Sequence, residues 1–171
     1  MTGHVHVYTG EGKGKTTAAL GLALRAAGAG WRVFVGQFIK GHAASELDAL
    51  ERLADLVTVR QFGGGGFVCE TPGSDDTYRA ACGLIECKEA ILSGDYALVV
   101  LDEANVALAL GLFSLDDLLE VIDARPERVE LVITGRYAHS AVLNRADLVT
   151  EMREVKHYYQ SGVEARAGIE K

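Results

Sequence analysis

Apolar runs alternate with helix-like segments along the chain, a pattern typical of a parallel sheet whose strands are joined by crossover helices. The runs that predict strands cover residues 4–8, 32–38, 56–62, 97–103, 129–135 and 146–152. The segments that predict helices cover about 15–29, 46–53, 75–92, 106–110 and 115–124. Ser74 or Asp75 is expected to cap the third of these helices. We therefore predict an α/β fold, with a mostly parallel central sheet of about six strands and helices on both faces.

The length of the chain, 171 residues, suits one domain with a full hydrophobic core and is too short for two. We expect residues 1–171 to form a single domain. No run reaches the roughly 18 apolar residues that a membrane span needs, and the amino end lacks a basic segment followed by an apolar one. The three cysteines are odd in number and lack C-x-x-C spacing. These features predict a cytoplasmic protein with reduced thiols and no membrane partner.

The formal net charge of -7 argues against a nucleic-acid partner, because the 17 Lys and Arg residues are scattered rather than massed into a stripe. An acidic protein that binds a polyanion needs a local pocket for it. Backbone amides, a few lysines and a metal ion can build such a pocket.

The sequence VYTGEGKGKTTAALG, residues 7–21, places a glycine-rich turn between the first strand and the first helix. It ends like the phosphate-loop pattern G-x-x-x-x-G-K-[ST], but Thr9 stands where the first glycine is expected and Gly10 follows. In such a loop Lys15 neutralises phosphate and the Thr16 hydroxyl can ligate magnesium. Lys13 adds a second cation, which is consistent with a long polyphosphate. The alternative is a surface turn that happens to contain GKGK.

The strand VVLDE, residues 99–103, carries two carboxylates at its carboxyl end. Ligands of open α/β sheets bind at this end of the strands, and beside a phosphate loop Asp102 and Glu103 can hold magnesium with Thr16. A capping or surface role for either carboxylate stays open. In a hydrolytic ATPase, Glu103 would instead polarise the attacking water.

The chain also carries, in this order, GEGKGKTTAALGLALRAAGAG, GQFIKG, GFVCET, VVLDEANVAL, VITGR and ADLVTEMREVKHYYQSGVEARAGIE. These segments cover nearly the whole chain, and together they resemble the P-loop type of ATP:corrinoid adenosyltransferase of cobalamin biosynthesis and salvage. The resemblance implies a P-loop (RecA-like) domain that transfers the 5′-deoxyadenosyl group of ATP to Co(I) of a reduced corrinoid and releases inorganic triphosphate. It also implies Mg²⁺, a homodimer and a flavin-type reductant.

By the same resemblance, the shortened loop holds ATP reversed relative to kinases, so that the ribose faces the corrinoid. The implied ATP-binding residues are Gly10, Glu11, Gly12, Lys13, Gly14, Lys15, Thr16, Thr17 and Arg136. Lys15, Thr16 and Glu103 are the implied catalytic residues, and Thr16, Glu103 and Asp102 are the implied Mg²⁺ ligands. Their shared task is to stabilise the leaving triphosphate. The nucleophile is Co(I), so the protein needs none of its own.

For the corrinoid, the family uses a loop with the pattern G-F-x-W whose aromatic residues cover the lower face of the ring. Phe67 matches this pattern, but Cys69 stands where tryptophan is expected. Several family members also carry an amino-terminal helix that covers the site, whereas this chain enters its first strand almost immediately, which leaves a lid and the dimer contacts open. His139 and His157 match family motifs without an assigned role.

Two other functions stay open at this point. One is a P-loop ATPase or phosphotransferase that makes ADP, with Glu103 or another base near the γ-phosphate. The other is a non-catalytic nucleotide or corrinoid carrier, which the departure at Cys69 would favour.

Overall fold

The structure, a computed structural model, describes residues 2–39, 41, 45–64 and 73–170. Phe67 and Cys69, predicted to contact the corrinoid, lie outside the described residues. The strands are β1 Val5–Thr9, β2 Val33–Gln37, β3 Val57–Gln61, β4 Leu98–Asp102, β5 Glu130–Thr134 and β6 Leu148–Glu151. The helices are α1 Lys15–Gly28, α2 Ser45–Glu51, α3 Ser74–Ser93, α4 Ala104–Ala109, α5 Leu115–Asp123 and α6 Ser140–Leu143, followed by a 3-10 helix over Tyr158–Ser161.

The described strands form one six-stranded sheet in the order β3-β2-β4-β5-β1-β6. Each neighbouring pair is parallel, so the predicted α/β fold with about six strands is confirmed, and the sheet is parallel throughout the described residues. Parallel strands bring their carboxyl ends to one edge of the sheet. The turn after β1, the acidic end of β4 and the turn after β5 therefore meet there, with β5 between the other two strands.

The sheet is covered on both faces, and β4 shows this most directly. Leu98 and Val100 pack in a cluster with the alanines of α1, whereas Val99 and Leu101 pack in a second cluster with α3 and α5. All four side chains are at most 1% exposed. Burying a side chain of this size stabilises the fold by about 1.5–3 kcal/mol. Two-sided burial explains why the strand is apolar at successive positions, and the predicted helices on both faces are confirmed.

The helix ends show where local sequence reasoning was wrong. Helix α3 is capped by Gly73, whose backbone N–H donates to Asp76 Oδ2 over 3.0 Å, and the predicted caps Ser74 and Asp75 lie inside the helix. Helix α6 and the 3-10 helix were not predicted, because elements of four residues are too short to show a hydrophobic period.

The described cysteines, Cys82 and Cys87, are free thiols. Cys82 is exposed, whereas Cys87 is fully buried in the core, and burial raises the pKa of its thiol. In the described part of the chain, no helix combines the length and the apolar character needed to cross a bilayer.

Candidate active site

A cavity of about 820 Å³ opens at the carboxyl edge of the sheet, a size within the usual range of ligand pockets. The glycine-rich turn between β1 and α1 forms its floor. Gly10 has φ 95° and Gly14, the amino-terminal cap of α1, has φ 115°, and both angles favour glycine. The cavity is lined by Glu11, Gly12, Lys13, Gly14, Lys15, Thr16, Thr17, Leu20, Ser45, Glu46, Glu103, Val106, Arg136, Tyr137, His157, Gly168, Ile169 and Glu170.

The Lys15 side chain is folded into the turn. Its Nζ donates to the carbonyl oxygens of Gly10 and Gly12, each over 2.7 Å, and the residue is only 7% exposed. Desolvation lowers the pKa of Lys15 and nearby Arg136 lowers it further, while Glu103 and Glu11 act in the opposite direction. The nearby carboxylates therefore do not fully offset the cost of burying the Lys15 ammonium, and an anion bound in the turn would supply the missing negative charge.

Beneath the turn, Thr16 is anchored to the end of β4. Its Oγ1 donates to Asp102 Oδ1 over 2.8 Å, and Thr134 Oγ1 of β5 donates to the same oxygen over 2.7 Å. Gln37 Nε2 of β2 donates to Asp102 Oδ2 over 3.2 Å. Asp102 is fully buried, and these hydrogen bonds satisfy acceptor oxygens that would otherwise be costly to bury. The carboxylate therefore fixes the first turn of α1 against the neighbouring strands.

Glu103 follows Asp102 but lies at the cavity wall, because the chain turns sharply there. Its φ is 61°, in the left-handed region, and its backbone N–H donates to Thr134 Oγ1 over 2.9 Å. Ile39 and Tyr137 also have positive φ, 69° and 62°, and they follow β2 and β5 at the same edge of the sheet. A left-handed residue other than glycine costs on the order of 1–3 kcal/mol, and such strain clusters at functional sites.

The oxygens at this edge fit a magnesium ion that is bound together with a polyphosphate. Hydroxyl and carboxylate oxygens are the ligands that Mg²⁺ prefers, and Thr16 and Glu103 line the cavity while Asp102 lies buried behind Thr16. The described residues contain no group of three or more His, Cys, Asp or Glu that could hold a metal ion by themselves. A metal here needs oxygens from the ligand, which is how Mg²⁺ is usually bound beside phosphates.

Arg136 lies on the rim, carried by the turn after β5. Its Nε is 3.4 Å from Glu11 Oε2, and both side chains are largely exposed. The preceding Gly135 has φ 129°, and an added Cβ there would lie 3.0 Å from Asn105 Cβ. This close packing on α4 aims Arg136 toward the turn.

The carboxyl-terminal part of the chain, residues 152–170 (the chain end), packs against the glycine-rich turn. Gly12 N donates to the Met152 carbonyl oxygen over 2.7 Å. An added Cβ on Gly10 would lie 2.4 Å from that oxygen, and one on Gly12 would lie 2.8 Å from it. Lys13 Nζ donates to the Ile169 carbonyl oxygen over 2.6 Å. Gly10 and Gly12 thus leave space for the backbone of Met152. Lys13, which was predicted to bind a polyphosphate, is bound here to the chain end.

The structure gathers most of the predicted ATP-binding residues around one cavity. Gly10 lies behind Lys15 as a hydrogen-bond acceptor, and Asp102 lies beneath Thr16. The roles assigned to these residues stay predictions, as do those of Phe67 and Cys69.

Sequence reasoning missed the wall formed by His157 and residues 168–170. The only signal for it was the likeness of the carboxyl-terminal segment to family motifs. His157 Nδ1 accepts from Tyr159 N over 3.0 Å, and His139 Nδ1 accepts from Ala141 N over 3.1 Å. Each histidine therefore caps the short helix that follows it, and His157 also lines the cavity.

Comparison with known proteins identifies the family. A model of the ATP:corrinoid adenosyltransferase BtuR/CobO/CobP family matches residues 1–170. The corrinoid adenosyltransferase of Pseudomonas aeruginosa is 39% identical over 169 residues, which cover 98% of this chain and 83% of that protein. Those of Escherichia coli K12 and Salmonella typhimurium, the latter named corrinoid adenosyltransferase CobA, are each 38% identical, with 98% of this chain and 85% of theirs covered. The chain therefore belongs to the ATP:corrinoid adenosyltransferase BtuR/CobO/CobP family.

Proposed function

We propose that this corrinoid adenosyltransferase of cobalamin biosynthesis or salvage binds MgATP in the cavity, with the triphosphate on residues 10–17 and the ribose 5′ carbon facing the corrinoid. The observation that carries the proposal is the buried Lys15 ammonium, held by two loop carbonyls at the floor of the cavity. A triphosphate can replace those carbonyls with charged oxygens, which bind an ammonium more strongly.

In the proposed reaction, the electron pair of Co(I) forms a bond to the 5′ carbon of ATP. The bond between that carbon and the triphosphate oxygen breaks, and its electron pair leaves with the triphosphate. The negative charge that develops on this oxygen is the charge that the site must stabilise. Lys15 and Lys13 line the cavity with Arg136, so three cationic side chains surround the region proposed for the leaving group.

Magnesium belongs to the proposal as a partner of the triphosphate. Thr16 Oγ1 and the Glu103 carboxylate would hold the ion or its waters, and Asp102 would orient Thr16 through the hydrogen bond between them. When bound, Mg²⁺ neutralises phosphate charge and so makes the triphosphate a better leaving group. Glu103, in this reading, is a metal-site residue and needs no role as a base.

The corrinoid site is proposed from the sequence alone, with Phe67 and Cys69 against the lower face of the ring. The proposal includes a flavin-type reductant that supplies Co(I), a homodimer and a cytoplasmic location.

One experiment separates this function from its rivals. The protein is mixed with MgATP and a chemically reduced corrinoid, the visible spectrum is followed for a light-sensitive cobalt–carbon product, and the phosphate product is analysed. We expect that product together with inorganic triphosphate. Protein-dependent ADP would assign the chain to the ATPases or phosphotransferases, and tight binding without either product would make it a carrier.

The same assay tests the role of Lys15. Lys15→Ala should abolish turnover, because the substitution removes the charge at the floor of the cavity. Lys88→Ala is the matched control, since Lys88 lies on α3 and pairs with Glu120. Unchanged turnover in Lys15→Ala would contradict the proposal that the triphosphate binds this loop.

A further inference from the structure

The wall of the cavity contributed by the chain end contains a carboxylate, Glu170, in a place where the proposed ligand is a polyanion. An unpaired carboxylate there would repel phosphate. Glu170 is only 16% exposed at its side chain, so neighbouring groups must compensate its charge.

Contacts with three residues compensate the negative charge of Glu170. Tyr158 Oη donates to Glu170 Oε1. Arg166 donates to Oε2 from its backbone N over 2.9 Å and from Nε over 3.3 Å. Its Nη2 donates to Oε1 over 3.2 Å. Lys13 Nζ lies 3.5 Å from Oε1. The Arg166 and Tyr158 contacts hold the pKa of Glu170 well below its usual range, so these contacts favour the charged form of the carboxylate.

Lys13 connects this cluster to the glycine-rich turn. Its Nζ donates to the Ile169 carbonyl oxygen over 2.6 Å and pairs with Glu170, and its side chain is 40% exposed. An ammonium group has three N–H donors, and these two contacts leave one for a further acceptor. Lys13 also lines the cavity. A phosphate oxygen can therefore join the ammonium without displacing the chain end.

We propose that Glu170 is a positioning residue for ATP: it holds the Ile169 carbonyl and the Lys13 ammonium together, so that Lys13 faces the triphosphate in a fixed place. The inference rests on the proposed binding of ATP in this cavity. Fixing a long, flexible lysine before binding removes part of the entropy cost of ordering it in the complex. The chain end thus contributes to the ATP site through Lys13, although Glu170 itself carries the wrong charge to contact phosphate.

The test compares MgATP affinity, measured by calorimetry without corrinoid, in the wild type, Glu170→Gln, Lys13→Met and the double variant. Glu170→Gln keeps the size of the side chain and removes the charge. If Glu170 only repelled phosphate, this variant would bind ATP more tightly. We expect about tenfold weaker binding, the size of one lost contact to a charged group. The double variant should bind no more weakly than Lys13→Met, because both changes act through one ammonium.

Three further measurements keep the result specific. Glu164→Gln, on an exposed residue of the same segment that enters no ion pair with the described residues, should bind ATP like the wild type. Tyr158→Phe removes one hydrogen bond from Glu170 and leaves all charges, so it should weaken ATP binding less than Glu170→Gln. In turnover, Glu170→Gln should raise KM for ATP about tenfold and leave KM for the corrinoid within about twofold.

Wild-type affinity in Glu170→Gln, additive losses in the double variant, or equal losses for ATP and corrinoid would each overturn the positioning role. Failure of the wild type to bind MgATP would instead overturn the proposed ATP site. The two failures are therefore distinguishable in one set of titrations.

Discussion

Thr16 Oγ1 and Asp102 Oδ1 are joined by a 2.8 Å hydrogen bond between the first turn of α1 and the end of β4. The bond crosses the sheet edge beneath β5, where Thr134 donates to the same oxygen. Since Asp102 is fully buried, it acts on the cavity through the hydroxyl of Thr16. The sequence pattern DE therefore divides into a buried anchor, Asp102, and a cavity residue, Glu103.

Asp102→Asn is expected to weaken magnesium binding while the fold is retained. The amide presents only one acceptor oxygen, so the donors Thr16, Thr134 and Gln37 can no longer all be satisfied. Loss of an orienting partner of a metal ligand typically costs about 10–100-fold in metal affinity or activity. The measurement is the Mg²⁺ concentration for half-maximal activity at saturating ATP.

The matched control is Asp55→Asn, on an exposed turn before β3, which should leave the Mg²⁺ requirement unchanged. An Asp102→Asn variant with the wild-type Mg²⁺ requirement would show that Thr16 needs no anchor.

Gly12→Ala tests the packing of the chain end on the glycine-rich turn. The new Cβ would lie 2.8 Å from both the Arg153 carbonyl carbon and the Met152 carbonyl oxygen, so one of the two segments must move. Overpacking of this kind costs about 1–3 kcal/mol of the free energy of unfolding. We also expect weaker ATP binding, because the added methyl group would strain the hydrogen bond from Gly12 N to the Met152 carbonyl oxygen. Chemical denaturation and ATP titration measure the two effects.

Gly21→Ala is the control for this change. Gly21 lies within α1, and an added Cβ there meets nothing within 4 Å among the described residues outside the helix backbone. Alanine should stabilise the helix by up to about 1 kcal/mol and leave ATP binding unchanged. Equal stability of the two alanine variants would contradict the packing described here.

The lowered pKa of Lys15 predicts how ATP affinity depends on pH. In the proposed complex the triphosphate binds the charged ammonium, which is fully present well below the pKa of Lys15 in the free protein. As the pH rises through that lowered pKa, which lies below the ordinary value of 10.5, the ammonium loses its proton and ATP affinity falls. If ATP binds Lys15 as proposed, binding should restore the charge, so ATP titrations in this range should show proton uptake when repeated in buffers of different ionisation enthalpy.

Two variants assign the alkaline loss of affinity to Lys15. In Lys15→Arg the charge persists at these pH values, so any remaining ATP binding should lack the loss. In Lys13→Met the loss should remain. If instead the loss remained in Lys15→Arg and disappeared in Lys13→Met, it would have to be assigned to Lys13.

The sequence predicted the sheet well because the strands are governed by local pattern. Leu98–Asp102 is buried on both faces, and this burial leaves a continuous apolar run that can be recognised directly. The glycine-rich turn was equally visible, since its conformation depends on residues that are neighbours in the chain. The cap of α3 was placed one or two residues too late, at Ser74 or Asp75, because a glycine can serve as the cap when Asp76 supplies the acceptor.

The parts of the site that were missed depend on contacts between distant residues. Lys13 and Ile169 are 156 positions apart, and no local pattern reveals that one binds the other. The same holds for Gly12, whose neighbour Met152 becomes visible only when β6 is paired beside β1. Sequence spacing could propose that Lys13 meets a phosphate, but it could not show that the chain end already holds this lysine.

The cysteines provide a test of both the core and the proposed corrinoid loop. Cys87 is buried and its thiol has a raised pKa, whereas Cys82 is exposed. Because the thiolate is the reactive form, an alkylating reagent should modify Cys82 in the native protein and reach Cys87 only after unfolding. Peptide mass spectrometry measures each rate. Native modification of Cys87 at the rate of Cys82 would contradict its burial.

The rate at Cys69 then reports on the corrinoid. If Cys69 lies against the lower face of the ring, a bound corrinoid should slow its alkylation by covering it, while Cys82 in the same sample keeps its rate and serves as the internal control. MgATP alone should not protect Cys69, because ATP is proposed to bind at the glycine-rich turn. Replacing the thiol in Cys69→Trp should change KM for the corrinoid more than KM for ATP. Equal changes in the two KM values, or an alkylation rate of Cys69 that a bound corrinoid does not change, would contradict the placement of Cys69 in the corrinoid site.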